Sequence, residues 1–238
     1  MTRARRHGKP YEQGRLRLRA VLVGLVGVAA LVAGTVLLVS LPQAVAEERA
    51  FRSATECRGA ATRDCLRASW FTVESVKVHR GKDPGGWVRV SGADKAAGQV
   101  TFTGVGDFLD RVRPDERVAG TIWRGEIVVL SDEDAAQRTD SHPAGNSLFA
   151  AGFGIILVLG GGFGVHASQW WLRHQEAAAW RRTPVALTRS GWAAGLLSAW
   201  AFLLLLLLHE RDASLGIYVA LWAPAALAAG ALLFHRGR

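Results

Sequence analysis

The sequence predicts a membrane protein of mixed class: four transmembrane helices, with a small extracytoplasmic antiparallel β-barrel or sandwich inserted between the first and the second. Three observations lead there. Half of the 238 residues are hydrophobic, and they gather into four charge-free runs rather than spreading along the chain, which is the pattern of membrane spans. The 29 lysines and arginines, against 20 acidic residues, cluster beside those runs. Between the first and second runs lies a stretch whose apolar residues alternate with period two, as half-buried strands require.

Residues 1–19 form a basic tail, with Arg3, Arg5, Arg6, Lys9, Arg15, Arg17 and Arg19 against the single acid Glu12. This excess places the tail in the cytoplasm. The first span is 20–41, a run of 22 residues without a charge, long enough at about 1.5 Å per residue to cross a hydrocarbon core of about 30 Å. Ala44-Val45-Ala46 after it also fits a small-x-small cleavage site, but the run exceeds the 7–15 residues of a signal-peptide core, so an uncleaved anchor is the better reading. The second span, 147–172, is followed by a cytoplasmic loop, 173–189, with Arg173, Arg181, Arg182 and Arg189. Spans 190–208 and 214–234 flank an external turn, 209–213, and a cytoplasmic tail, 235–238, carries Arg236 and Arg238. Lipid offers no partners for backbone polar groups, so runs this long and apolar are helical.

Residues 42–146 are the expected external domain. Their 15 basic and 16 acidic residues nearly cancel, so the positive excess is a topology signal and an anionic-lipid contact; nucleic acid is not expected as a partner. Cys57 and Cys65, the chain's two cysteines, lie eight apart in this segment. An oxidising compartment makes them a structural disulfide, worth about 2–3 kcal/mol; the redox-pair and metal readings lack a CxxC spacing and neighbouring ligands. Val76 and Val78, Val88 and Val90, and Val100 and Phe102 alternate with polar or outward residues. Phe108, Leu109 and Val112 have helical spacing before Arg113-Pro114 stops them. Arg124-Gly125 forms a tight hairpin turn, with Gly supplying positive φ. Five or so strands follow, and 131–143 reads as a solvated linker in which the consecutive Asp132-Glu133-Asp134 lacks the spacing of a calcium loop.

Candidate sites are few. Gly160 and Gly164, and Ala30 and Gly34, stand in small-xxx-small spacing and suit close helix packing. His166, with Gln169, is strongly polar inside a span and invites a functional role, although it sits near enough to Arg173 to reach the interface. His209, Glu210 and Asp212 make the best catalytic or metal-binding corner, yet a polar turn between helices is the ordinary expectation, and no third ligand accompanies them. No nucleophile elbow, Walker lysine or kinase motif is present. The expectation is therefore a non-enzyme with no catalytic residues, cofactor or metal.

The stretch Glu116-Arg117-Val118-Ala119-Gly120-Thr121-Ile122-Trp123-Arg124-Gly125, the later Gln137-Arg138-Thr139, and 25 arginines against four lysines resemble membrane proteins of high-GC actinobacteria. The layout from Arg15 to about Leu172 is similar to the DUF3592 type, in which two helices flank an external β-domain. That resemblance implies an architecture and brings no catalytic residues. The expected role is an envelope binding or assembly protein of the plasma membrane. Its partners are the lipid bilayer and, through 42–146, an envelope protein or wall component, with homo-oligomerisation open. The alternative is a transport or membrane-enzyme accessory activity that uses the bundle.

Overall fold

The computed structural model describes residues 10–57, 64–174, 184–209 and 214–235. The chain divides into two compact units: Val45–Ala144, and a helical unit made from what precedes and follows it. The helices are α1 (Pro10–Arg52), α2 (Asp107–Arg111), α3 (Asn146–Arg173), α4 (Val185–His209) and α5 (Leu215–His235). All but α2 belong to the helical unit, except that the last turns of α1 count with Val45–Ala144.

Three of these helices are long and apolar enough to cross a membrane, over Arg17–Arg52, Asn146–Arg173 and Leu187–Leu208. The apolar part of α5, Leu215–Ala231, is shorter. It covers about 26 Å at 1.5 Å per residue, somewhat less than a full hydrocarbon core. The first helix also runs further than the expected 20–41, through Pro42 to Arg52. Charge ends a membrane run but not a helix: Ala, Glu and Arg after Pro42 are good helix formers.

Small residues let α1 and α3 meet backbone to backbone in antiparallel sense. A Cβ at Gly27 would lie 2.9 Å from the Gly161 carbonyl oxygen, and one at Gly34 the same distance from that of Gly154. The buried Ser168 hydroxyl donates to the Ala20 carbonyl at 2.7 Å. On the next interface Leu148 and Ala151 of α3 pack with Ala201, Leu204, Leu205 and Leu208 of α4 and with Tyr218 of α5. The Tyr218 hydroxyl donates to the Ala201 carbonyl at 3.3 Å, which satisfies a polar tip inside an apolar cluster. The outer surface is the reverse of a soluble one. Val26, Val39, Leu196 and Leu227 are 65–75% exposed, a density of exposed large apolar side chains that marks a membrane-facing unit.

The β unit contains one six-stranded antiparallel sheet in the order β3-β2-β1-β4-β5-β6. The strands are β1 (Arg67–His79), β2 (Gly85–Ser91), β3 (Gly98–Thr103), β4 (Arg117–Trp123), β5 (Glu126–Ser131) and β6 (Ala136–Arg138). The concave side of this half-barrel is filled by Phe71, Val73, Val88, Val90, Val100, Phe102, Val118, Ile122, Ile127 and Leu130, and by Phe108, Leu109 and Val112 from α2 and its end. The alternation is the one expected from the sequence, and the β4–β5 turn has positive φ at both Arg124 (52°) and Gly125 (90°), the requirement of a type I′ hairpin.

One expectation is corrected. Residues 131–143 are not a free linker: β6 pairs with β5 from Ala136 to Arg138, and the chain then crosses to the opposite edge. There the Asp140 amide donates to the Thr101 carbonyl at 3.0 Å, and its carboxylate accepts from the Thr103 amide and hydroxyl at 2.6 and 2.8 Å. Gln137 braces the same region, accepting from the Leu109 amide and donating to the Gly104 carbonyl. A polar sequence hid this segment because its work is hydrogen bonding across edges rather than burial of apolar surface.

Candidate binding surface

The most distinctive surface of the β unit arises where β1 loses a neighbour. From Arg67 to Thr72, β1 pairs with β4, and from Thr72 to His79 it pairs with β2. The handover falls at a bulge between Val73 and Ser75, a device that bends a strand and redirects its edge. On the β4 side the cause is the turn that precedes Arg117. The Arg113 amide donates to the Glu116 carboxylate at 2.9 Å, Pro114 follows, and Asp115 takes φ of 67°. A left-handed non-glycine residue is uncommon. This turn swings the chain away from β1, which still exchanges hydrogen bonds with it at Val73: its amide donates to the Glu116 carbonyl, and its carbonyl accepts from the Asp115 amide. Beyond that point Glu74–His79 has β2 on one side and no strand on the other among the described residues.

A cleft of about 340 Å³ opens beside this edge. Val76, Val78, Leu109, Val112 and Pro114 supply apolar walls, and Arg80, Asp110 and Arg113 ring it. Arg80 pairs with the Asp110 carboxylate. The Arg113 guanidinium donates to the Asp110 and Val112 carbonyls at 3.2 and 3.3 Å, which holds its charge at the rim. The volume lies near the lower end of ligand pockets.

Elsewhere the unit is tied together rather than opened. Cys57 and Cys65 are disulfide-bonded, with Cα atoms 5.0 Å apart. Nearby, Arg124 pairs with Asp64 at 2.7 Å and stacks over Trp123 at 4.3 Å; Trp123 in turn meets Phe51 edge-on at 5.4 Å. Closing a loop this short contributes about 2–3 kcal/mol. Cys65→Ser is accordingly expected to lower the stability of the β unit by that amount, and dithiothreitol should reproduce the loss in the native chain. Equal urea midpoints for oxidised and reduced protein, read by limited proteolysis, would refute this.

The other residues singled out in the sequence divide. A Cβ at Gly164 would lie 3.4 Å from the Gly27 Cα, and Gly34 is at the crossing, but a Cβ at Gly160 would meet nothing within 4 Å. Gly160 and Ala30 instead line an apolar groove of about 520 Å³ between α1 and α3. The glycines in close contact are Gly27, Gly34, Gly154 and Gly161; Gly34 is an expected position, and the other three lie one residue or more from the expected ones because the helix crossing angle decides which face meets the partner. His166 is exposed on α3, one residue before the buried Ala167 and Ser168, so it points away from the helix packing. His209 ends α4, while Glu210 and Asp212 lie outside the described residues. Among the described residues no group of three His, Cys, Asp or Glu side chains is placed to hold a metal.

Likeness to known proteins adds nothing to this site. Comparison with protein-family models, with curated proteins and with solved structures finds no match. The reading therefore rests on the chemistry of the surface itself. That surface has a strand edge, an apolar floor and a guanidinium rim. Sequence reasoning passed over it because Arg113-Pro114 signals only that a helix stops. The composition does not say which strand the following turn will leave uncovered.

Proposed function

We propose that the protein is a non-enzymatic envelope binding or assembly protein of the plasma membrane, anchored by its helices and presenting the β unit outside the cytoplasm. Four helices cross the bilayer in this reading, α5 included, with both termini cytoplasmic. The arginine-rich flanks support that orientation, and so does a disulfide, which persists in oxidising compartments. A DUF3592-like architecture belongs to the same proposal.

The observation that carries the reading is a β unit with a core and disulfide of its own and an open strand edge beside a cleft. A domain that served only as a spacer between helices would have no need of such an edge, which is an aggregation liability that folds ordinarily cover. Crosslinking and native pull-down from membranes, comparing the full chain with one lacking residues 60–130, tests it. A defined protein or wall fragment held only when the β unit is present is the expected result. Partners that persist through the helices alone would overturn the reading and turn attention to transport or an accessory role of the bundle.

A further inference from the structure

We propose that the edge of β1 from Glu74 to His79 is a strand-addition site, which takes an extended, acid-flanked peptide segment of a partner protein over the Val76–Val78 cleft. This rests on reading the β unit as the binding module, and it names the chemistry of what is bound.

The occupant follows from the edge. Backbone N–H and C=O groups along an unpaired strand are obligatory hydrogen-bonding groups, and the ligand that matches their spacing is another extended backbone. Proteins blunt such edges with proline, inward-pointing charge or a covering element. Past the bulge at its start, Glu74-Ser75-Val76-Lys77-Val78-His79 carries neither of the first two devices: it contains no proline, and its core-side positions are the two valines. Both are only partly buried although they pack against the core cluster. The half-barrel is thus short of one strand at this place, and Val76 and Val78 are the side chains that strand would cover.

Alternation sets the rest. Successive side chains of an added strand point to opposite faces, so two of its residues, at i and i+2, face the cleft against the partly buried Val76 and Val78. The ring around them holds two guanidinium groups, Arg80 and Arg113, against one carboxylate, Asp110, which Arg80 already engages. A flanking carboxylate on the peptide is therefore favoured over a flanking amine.

The test uses the full chain in detergent micelles and labelled synthetic heptapeptides read by fluorescence anisotropy. One peptide alternates threonine and valine between terminal glutamates; a second has terminal lysines; a third is the glutamate peptide with its valine amides N-methylated. The glutamate peptide should bind saturably, the lysine peptide about tenfold more weakly, and the methylated one not measurably. Arg113→Glu, at an exposed rim position, should reverse the preference between the first two. Because methylation alters the ligand and not the protein, a folding defect cannot imitate its effect. Binding that ignores methylation, or no binding up to millimolar peptide, overturns the proposal. So does a dimer of the chain that Arg113→Glu dissociates, since the edge would then be taken by a second copy. If crosslinked capture depends on the β unit yet survives Arg113→Glu and Val78→Lys, the strand-addition site falls while the binding-module reading stands.

Discussion

Gly161→Leu is expected to separate α1 from α3 and to cost the helical unit about 3 kcal/mol or more, whereas Gly160→Leu, one residue away, should change its stability by less than about 0.5 kcal/mol. The difference lies in what a new side chain would meet. At Gly161 a Cβ alone would sit 2.6 Å from the Gly27 carbonyl oxygen and 2.8 Å from the Leu31 amide nitrogen. These are backbone atoms of a helix, which cannot turn aside as a side chain does, so the helices must move apart. Their separation would also strand the Ser168 hydroxyl that donates to Ala20. At Gly160 the Cβ faces an open groove with no atom within 4 Å. Thermal unfolding of the detergent-solubilised chain, followed as loss of monodisperse protein, reads both variants. Equal midpoints for the two would mean that α1 and α3 do not cross on Gly27 and Gly161.

The second large effect is expected in the β unit, where Phe71→Ala should remove about 3–5 kcal/mol. Phe71 is 1% exposed at the centre of the core cluster. Its ring fits between two glycines, such that a Cβ at Gly120 would lie 2.6 Å from it and one at Gly92 3.1 Å. The glycines on either side bring no side chain to fill the space if the ring is removed, so a cavity is left and its cost adds to the lost burial. The neighbouring Trp70 is 62% exposed under the Arg117 guanidinium, and Trp70→Ala should cost about 0.5 kcal/mol or less. Urea titration read by limited proteolysis between residues 64 and 144 separates them. A Trp70→Ala midpoint as low as that of Phe71→Ala would place the core on the other face of the sheet.

Much of the molecule was readable in advance for a simple reason. Membrane runs and half-buried strands are both statements about where apolar surface goes, and apolar residues report it directly through their spacing. Val88 and Val90, Val100 and Phe102, and the helical spacing of Phe108, Leu109 and Val112 all face inward as that logic requires. The Arg124-Gly125 hairpin was legible because a two-residue turn needs positive φ and glycine supplies it. Two kinds of feature were not. Gln137, Thr139 and Asp140 act through hydrogen bonds to residues far along the chain, and a polar residue that braces a half-barrel has the same letters as one in a solvated linker. Asp115 was equally silent, since its left-handed backbone is imposed by the turn around it.

The division between what the sequence determines and what the tertiary structure decides follows the range of the forces involved. By itself the sequence determines that this chain has long apolar helices flanked by arginine, a β unit of about a hundred residues between the first two, and a cysteine pair close enough to bond. Each of these depends on hydrophobic periodicity, local charge or local chain closure. The tertiary structure decides that Gly27, Gly154 and Gly161 join Gly34 at the helix crossing while Ala30 and Gly160 line a groove, because the choice depends on how two surfaces meet. It also decides that β4 parts from β1 at Val73 and leaves Glu74–His79 open beside Arg80 and Arg113. That edge exists because residues about forty apart in sequence are directed past one another by a bulge on one side and a strained turn on the other, and no local pattern records a neighbour that is missing.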